Sequence, residues 1–391
     1  MGIWIGRNRK VRIAYGFDDI SLSPGDPSLA ATEVDTSFSL RRPDGQELVF
    51  KIPLIASAMD SVSNVATCAE ISALGGFGVL NLHGLQTRYE DPASAIEEIN
   101  RASAGELTGV LRKVYAEPIK DELIVQRIKE LIAAGATPAV SCLADTAGRL
   151  GPLVQAQGAK ILVVQSPALN LGRDGRYSRS SDLSALCRAL SIPVIIGNVV
   201  TFKAAEAFMA VGAAAILVGM GPGAASRSQV VLGVGLPQVT ATVDCAAARD
   251  HYLKQTGRYV PVITDGGMRR SEDICKALAC GSDAVMVGGL FARAREAPGR
   301  GSHWGMQTYH PELPQGTRIP AEPNGSLREI ISGPALTDDG MQNLMGAISA
   351  CMGLVGARTI REFHNAEIVI APNMQRELNG KHVQFGAIGP A

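Results

Sequence analysis

Short runs of apolar residues recur along the chain, and each ends in glycine or a small polar residue before a segment of different rhythm begins. Eight such runs read as strands: Pro53–Ser57, Gly78–Leu82, Ala139–Cys142, Ile161–Gln165, Val194–Gly197, Ala215–Gly219, Val262–Asp265 and Ala284–Gly288. Their apolar stretches are continuous rather than alternating, as parallel strands covered on both faces require. The segments between them carry helical spacing, clearest over Glu122–Ala134, Thr201–Val211, Pro237–Lys254 and Ser271–Cys280. Thr201 and Ser271 stand where N-caps belong, and Gly212 and Gly281 follow the last turns.

Eight strand–helix units in roughly 240 residues predict a closed (β/α)8 TIM barrel. An open doubly wound sheet is the alternative, but regular units without a long break favour closure. No linker or low-complexity tract divides the chain, so a single α/β domain over residues 1–391 is expected. The barrel would occupy about 53–292, a Pro- and Gly-rich active-site flap about 298–340, and a helical closing segment 341–391. Structureless loops of that length are usually functional or disordered.

Composition narrows the chemistry. Lys+Arg and Asp+Glu balance at 37 each, so no global field draws nucleic acid or an anionic membrane. Phosphate binding must then come from local geometry. The seven cysteines are widely spaced with no CxxC pair, and most lie within apolar patterns where a reduced, buried thiol is expected. No run of eighteen apolar residues occurs, and no hydrophobic signal core follows Arg7 to Arg12. A soluble, cytoplasmic protein is the expectation.

In a barrel of this kind the chemistry sits where strands end. TDGG (264–267) follows the seventh strand and VGGLFA (287–292) the eighth. Glycine pairs there let backbone N–H groups approach a phosphate, and Asp265 beside them is placed to accept hydrogen bonds from ribose hydroxyls. After the sixth strand, Gly219, Gly221 and Gly223 alternate in GMGPGAAS (219–226). Such a loop can ring a cation with carbonyls or cradle an anion with amides.

At this point the motifs become recognisable. YGFDDISLSPG (15–25), PLIASAMDSVS (53–63), IIGNVVT (195–201), VGMGPGAAS (218–226), GVGLPQVTA (233–241), the stretch TDGGMRRSEDICKALACGSDAVMVGGLFARAREAPG (264–299) and GAISACMGLVGARTIREF (346–363) resemble the inosine monophosphate dehydrogenase/GMP reductase family. The likeness is to its short branch, which lacks the paired CBS domains inserted after the second strand; a helical stretch from about Gln86 to Glu122 fills that place. The resemblance implies a purine nucleoside monophosphate (GMP, IMP or XMP) and NAD or NADP as ligands, and a homotetramer. It implies that Ser57 and Met59 line the nucleotide pocket, that Asp265 holds the ribose, and that Gly267, Gly288 and Gly289 hold the phosphate. Gly305 and Met306 would contact the base. Gln165, Asn198 and Gly219 match positions facing the cofactor, and the carbonyls of Gly221, Gly223 and Ser226 match a site for a monovalent cation such as K+.

The sequence departs from the family at the reactive corner. Its loop reads approximately GPGSICTTR, whereas here it is GPGAASRSQ, so Ser226 stands at the position of the nucleophilic cysteine. A thiol with a pKa of about 8.5 is partly ionised at neutral pH, while a serine hydroxyl needs an adjacent base. No histidine or acid lies in the loop, and Arg227 cannot accept a proton. Ser228 keeps a hydroxyl at the catalytic threonine position, Ala224 replaces a phosphate-binding serine, and Gln165 replaces a cofactor-binding aspartate. Ser226 is therefore an unconventional nucleophile, a polar group in hydride transfer without a covalent adduct, or the mark of a site that only binds.

The flap is compressed and has no adjacent Arg–Tyr pair of the kind that activates water in the dehydrogenase. Glu312 and Glu322 are either candidate acids or solvated loop carboxylates, and His303, Trp304 and His310 either stack on a base and move protons or pack the loop. The expectation is an NAD(P)-dependent purine nucleotide oxidoreductase, favouring reductive deamination of GMP to IMP. Oxidation of IMP to XMP and nucleotide sensing without turnover remain the alternatives.

Overall fold

The structure is a computed structural model that describes residues 3–165, 183–226, 228–305 and 317–371. Eight parallel strands close on themselves in chain order: β1 (Leu54–Ala56), β2 (Phe77–Asn81), β3 (Ala139–Leu143), β4 (Ile161–Gln165), β5 (Val194–Val199), β6 (Ala215–Val218), β7 (Val262–Asp265) and β8 (Ala284–Val287). Closure is completed by β8 pairing with β1, Met286 opposite Ile55. The barrel interior is packed with side chains. The even strands contribute two each, such as Phe77 and Val79, and the odd strands one each, such as Ile195. This is the layered filling expected of an eight-stranded barrel.

The predicted helices form with their ends moved by a residue or two. Phe202–Ala210 (α1) starts on Thr201, whose hydroxyl accepts from the Ala204 N–H at 3.3 Å. Gln238–Thr256 (α2) begins after Pro237. Ser271–Ala279 (α3) corrects the expected cap: Ser271 is already helical, Arg270 holds the cap position, and the Asp273 carboxylate accepts from the Arg269 N–H at 2.8 Å. Gly281, after α3, has φ +106, and a Cβ there would lie 2.5 Å from the Ala246 Cβ, so both backbone shape and packing demand glycine.

Four features outside the strand count complete the molecule. A ribbon of Phe38–Arg41 and Glu47–Phe50 plugs the floor of the barrel, with Phe38 stacked on Phe50 at 5.1 Å and Phe50 against Phe77 at 4.6 Å. Between β2 and the helix Asp121–Ala133 that leads into β3, the chain inserts two further helices, Ala93–Arg101 and Leu107–Val114, in the place where the resemblance put its insertion. The flap is more regular than its composition suggests. Ser302–Trp304 pairs antiparallel with Arg318–Pro320, and Ser326 and Glu329 make a reciprocal capping box for the helix Leu327–Ser332. The closing segment supplies Leu344–Leu354 (α4), packed on α3, and Ile368–Ile370, which pairs with Ile20–Leu22 near the N-terminus. No helix among the described residues is long and apolar enough to cross a membrane.

Candidate active site

The C-terminal ends of β7, β8 and β1 adjoin, and they bring the glycine pairs together. Asp265 lies opposite Met286 in the register, so Gly267 and Gly288 follow the same rung of neighbouring strands. Gly266 and Gly267 have φ of +82 and +83, a conformation side chains resist, which explains why the turn needs two glycines. Across β8, the Ser57 N–H donates to the Val287 carbonyl at 3.0 Å. A Cβ placed on Gly288 would meet Ser57 Oγ at 3.3 Å, His303 Cε1 at 3.4 Å and Met59 Sδ at 3.5 Å, while one on Gly289 would meet nothing. Gly288 is thus the bare floor of a corner walled by Ser57, Met59 and His303.

The loop after β6 folds onto this corner. Gly219 passes so close to β7 that a Cβ would lie 2.3 Å from the Asp265 carbonyl oxygen. Gln238, the first residue of α2, staples the two strands: its Nε2 donates to the Val218 carbonyl at 2.7 Å and to the Asp265 carbonyl at 3.3 Å. Pro222 rests against Gly266 and Gly267. At Gly221, φ is +76 and a Cβ would sit 2.6 Å from Ser228 Oγ, so glycine lets the loop turn back on itself. The result places Ser226 Oγ 2.9 Å from Ser228 Oγ, with Ser226 half-buried and Ser228 buried at the start of a single π-helical turn. The flap arrives above: a Cβ on Gly305 would be 3.0 Å from the Ala225 carbonyl oxygen.

The carbonyls of Gly221, Gly223 and Ser226 belong to this one turn. Gly223 has open space beside its Cα, and its carbonyl accepts from the Ser226 N–H at 2.9 Å, which leaves it a second lone pair. The donor set is hard oxygen without net charge, suited to a monovalent cation. Among the described residues no group of three His, Cys, Asp or Glu is placed to hold a metal ion.

Gln165, Asn198 and Gly219 follow from the neighbouring staves β4, β5 and β6, with Gly197 paired to Gln165 on one side and Leu217 on the other. The β5–β6 register shifts between Gly197 and Val199, and Asn198 lies at that irregularity. Its Nδ2 donates to the Asp265 carboxylate at 2.7 Å. This contact joins the β4–β6 half of the mouth to the β7–β8–β1 half. Burial against the strand ends pushes the Asp265 carboxyl up to about 6, against the opposing pull of Asn198. Burial, reinforced by the charge of Arg293, drops His303 to about 4, so its imidazole is neutral at pH 7. Its Nδ1 is engaged with Ser61 Oγ at 2.9 Å.

Two open alternatives are decided. Trp304 does not face the mouth: it is buried with Leu85, Ile96, Ile99 and Leu111, and its indole N–H donates to the Tyr115 hydroxyl at 3.0 Å. It is a packing residue rather than a platform for a base. Glu322 is an exposed loop carboxylate. Met306, His310, Glu312 and Arg227 lie outside the described residues. Cys68, Cys142 and Cys280 give no replacement nucleophile, since burial pushes each up to about 12. Sequence reasoning missed Asp60, Ser61, Tyr115 and Gln238. Only a polar residue beside the strand end at Ser57 hinted at the first two.

The comparisons agree with this architecture. A family model described as the IMP dehydrogenase / GMP reductase domain matches residues 14–311. An uncharacterised oxidoreductase of Mycolicibacterium smegmatis is 32% identical over 94% of this chain and 99% of its own. The inosine-5'-monophosphate dehydrogenase of Borreliella burgdorferi is 27% identical over 91% of this chain and 93% of its own. A crystal structure of an IMP dehydrogenase/GMP reductase-like protein from Corynebacterium glutamicum superimposes with a TM-score of 0.86 at 30% identity, covering 95% of this chain and 98% of that one.

Proposed function

Because the chain belongs to the IMP dehydrogenase/GMP reductase family of oxidoreductases, we propose that it is an NAD(P)-dependent oxidoreductase of purine nucleoside monophosphates, working in the reductive direction on GMP. The observation that carries this reading is the Ser226–Ser228 hydroxyl pair, seated on the loop that packs over Gly266 and Gly267. It puts polar, thiol-free groups beside the corner formed by Ser57, Met59, Gly267, Gly288 and Gly289. In that corner the backbone of Gly267, Gly288 and Gly289 would bind the phosphate, and Asp265 would accept from the ribose hydroxyls. Gly305 and Met306 would bound the base.

NAD or NADP would lie over Gln165, Asn198 and Gly219, and it supplies the hydride. Conversion of GMP to IMP would then replace the 2-amino group at carbon 2 by hydride and release it as ammonia, with one proton delivered to the leaving amine. Ser226 and Ser228, sharing a hydrogen bond, are the groups we assign to hold and pass that proton. The carbonyls of Gly221, Gly223 and Ser226 would hold a monovalent cation and so fix the loop that carries the pair. Holding both reactants in register is the main contribution asked of the protein.

The absence of a carboxylate or imidazole in the 219–226 loop favours one second reading, a nucleotide sensor without turnover. Absorbance at 340 nm separates them. Loss of NADPH with GMP supports the reductase, and gain of NADH with IMP overturns the direction. Nucleotide binding without either change establishes the sensor.

A further inference from the structure

Consecutive residues of the loop after β1 grip consecutive residues of the flap. Asp60 is buried, and a side chain on Gly84 would displace it, since a Cβ there would lie 2.3 Å from Asp60 Oδ1. That oxygen accepts from the Leu85 N–H at 2.9 Å, and Oδ2 accepts from the Tyr115 hydroxyl at 2.7 Å. The Tyr115 oxygen in turn accepts from Trp304 Nε1 at 3.0 Å. Next door, Ser61 Oγ meets His303 Nδ1 at 2.9 Å and accepts from the Trp304 N–H at 3.4 Å. Arg318, on the partner strand of the ribbon, donates to the carbonyls of Ile99, Asn100 at 2.8 Å and Ala102 at 2.7 Å, closing the C-terminal end of the helix Ala93–Arg101. The two helices inserted after β2 are therefore the dock on which the flap is mounted.

Side chains of neighbouring residues in a strand point to opposite faces. Locking the Trp304 indole in the insert consequently sets the rotation of Ser302–Trp304 and turns His303 toward the corner at Gly288, where its Cε1 lies 3.4 Å from the missing Cβ. A fully satisfied buried polar network specifies one arrangement, whereas an incomplete one leaves buried donors and acceptors unpaired. Removing the Tyr115 hydroxyl would strand both Asp60 Oδ2 and Trp304 Nε1.

We propose that Tyr115 is a positioning residue: through the Asp60–Tyr115–Trp304 chain it holds His303 beside Gly288 and so sets the grip on the phosphate end of the bound nucleotide. The inference rests on the nucleotide reading above and adds to it an element of the insert that touches no ligand itself.

The test is Tyr115→Phe, which keeps the ring and its packing. GMP and IMP are titrated calorimetrically beside guanosine and inosine, which lack the phosphate. The expected result is about tenfold weaker binding of the monophosphates, with less than about a twofold change for the nucleosides. In turnover, KM for GMP rises by the same factor while kcat stays within about twofold. Trp304→Phe removes the other end of the same hydrogen bond and should match it, and the double variant should be no worse than either single one. If Tyr115→Phe does not fold, Trp304→Phe carries the test. Unchanged monophosphate affinity, or equal losses for nucleotide and nucleoside, overturns the positioning role. Wild-type protein that binds none of the four compounds overturns the nucleotide reading, and this inference with it.

Discussion

Asp265 offers the sharpest quantitative test of the site. Burial holds its carboxyl at about 6, and one donor, Asn198 Nδ2, supports the ionised form. Ribose hydroxyls donating to that carboxylate would stabilise its charge further and lower its pKa in the complex. Binding would therefore release a proton wherever the free carboxyl is still protonated. Affinity should rise with pH, reach its plateau above about 6, and fall by up to tenfold for each pH unit below. At about pH 5 the loss is about tenfold. The substrate phosphate also ionises at about 6, so a single curve does not isolate the side chain. Asp265→Asn keeps the shape and cannot ionise, so the difference between the two proteins does. His303, at about 4, titrates below the window, and Asp60 is the same in both proteins. Calorimetric titration with GMP between about pH 5 and 7.5 reads the effect directly. Parallel pH profiles for wild type and Asp265→Asn would refute the ribose contact. Without ligand the linkage has its own sign. A folded-state pKa above the unfolded value means that the folded protein binds this proton more tightly. The stabilisation is therefore full below about 4 and is lost as pH rises to about 6.

Gly219→Ala forces a Cβ to 2.3 Å from the Asp265 carbonyl oxygen at φ +153, so urea unfolding should show a loss of about 1–3 kcal/mol. Asp283 sits at the opposite face, before β8, where it accepts from Arg249 at 3.2 Å, the Val262 N–H at 2.8 Å and the Tyr259 hydroxyl. Asp283→Ala leaves Arg249 buried without that partner and should cost about 3–5 kcal/mol in denaturant melts, with nucleotide affinity unchanged. Ser226→Cys should lower reductive turnover by about a hundredfold if the hydroxyl pair relays a proton. A gain in turnover, with a nucleotide adduct in the intact mass, would show instead that a thiol nucleophile is what the loop lacks.

The barrel was legible because each strand is buried on both faces, and burial writes itself into a continuous apolar run such as Ile161–Val164 or Ala215–Val218. The glycine pairs were legible for a related reason: Gly266 and Gly267 need positive φ, which few other residues tolerate. The floor ribbon escaped notice although FSLR and ELVF flank a PDG turn, since short half-exposed strands carry a weaker pattern. The role of Trp304 stayed open in the sequence because an aromatic residue on a flap looks the same in one dimension whether it faces a ligand or a neighbouring helix.

By itself, the chain's sequence determined what depends on neighbouring residues: strand and helix periodicity, the backbone shapes that only glycine takes, and the serine standing where a thiol is expected. The tertiary structure decided what depends on distant ones. Tyr115 reaches Trp304 across 189 positions and Asn198 reaches Asp265 across 67. Such contacts leave no periodic trace, because each is a meeting of two unrelated segments that only closure of the barrel brings within hydrogen-bonding distance.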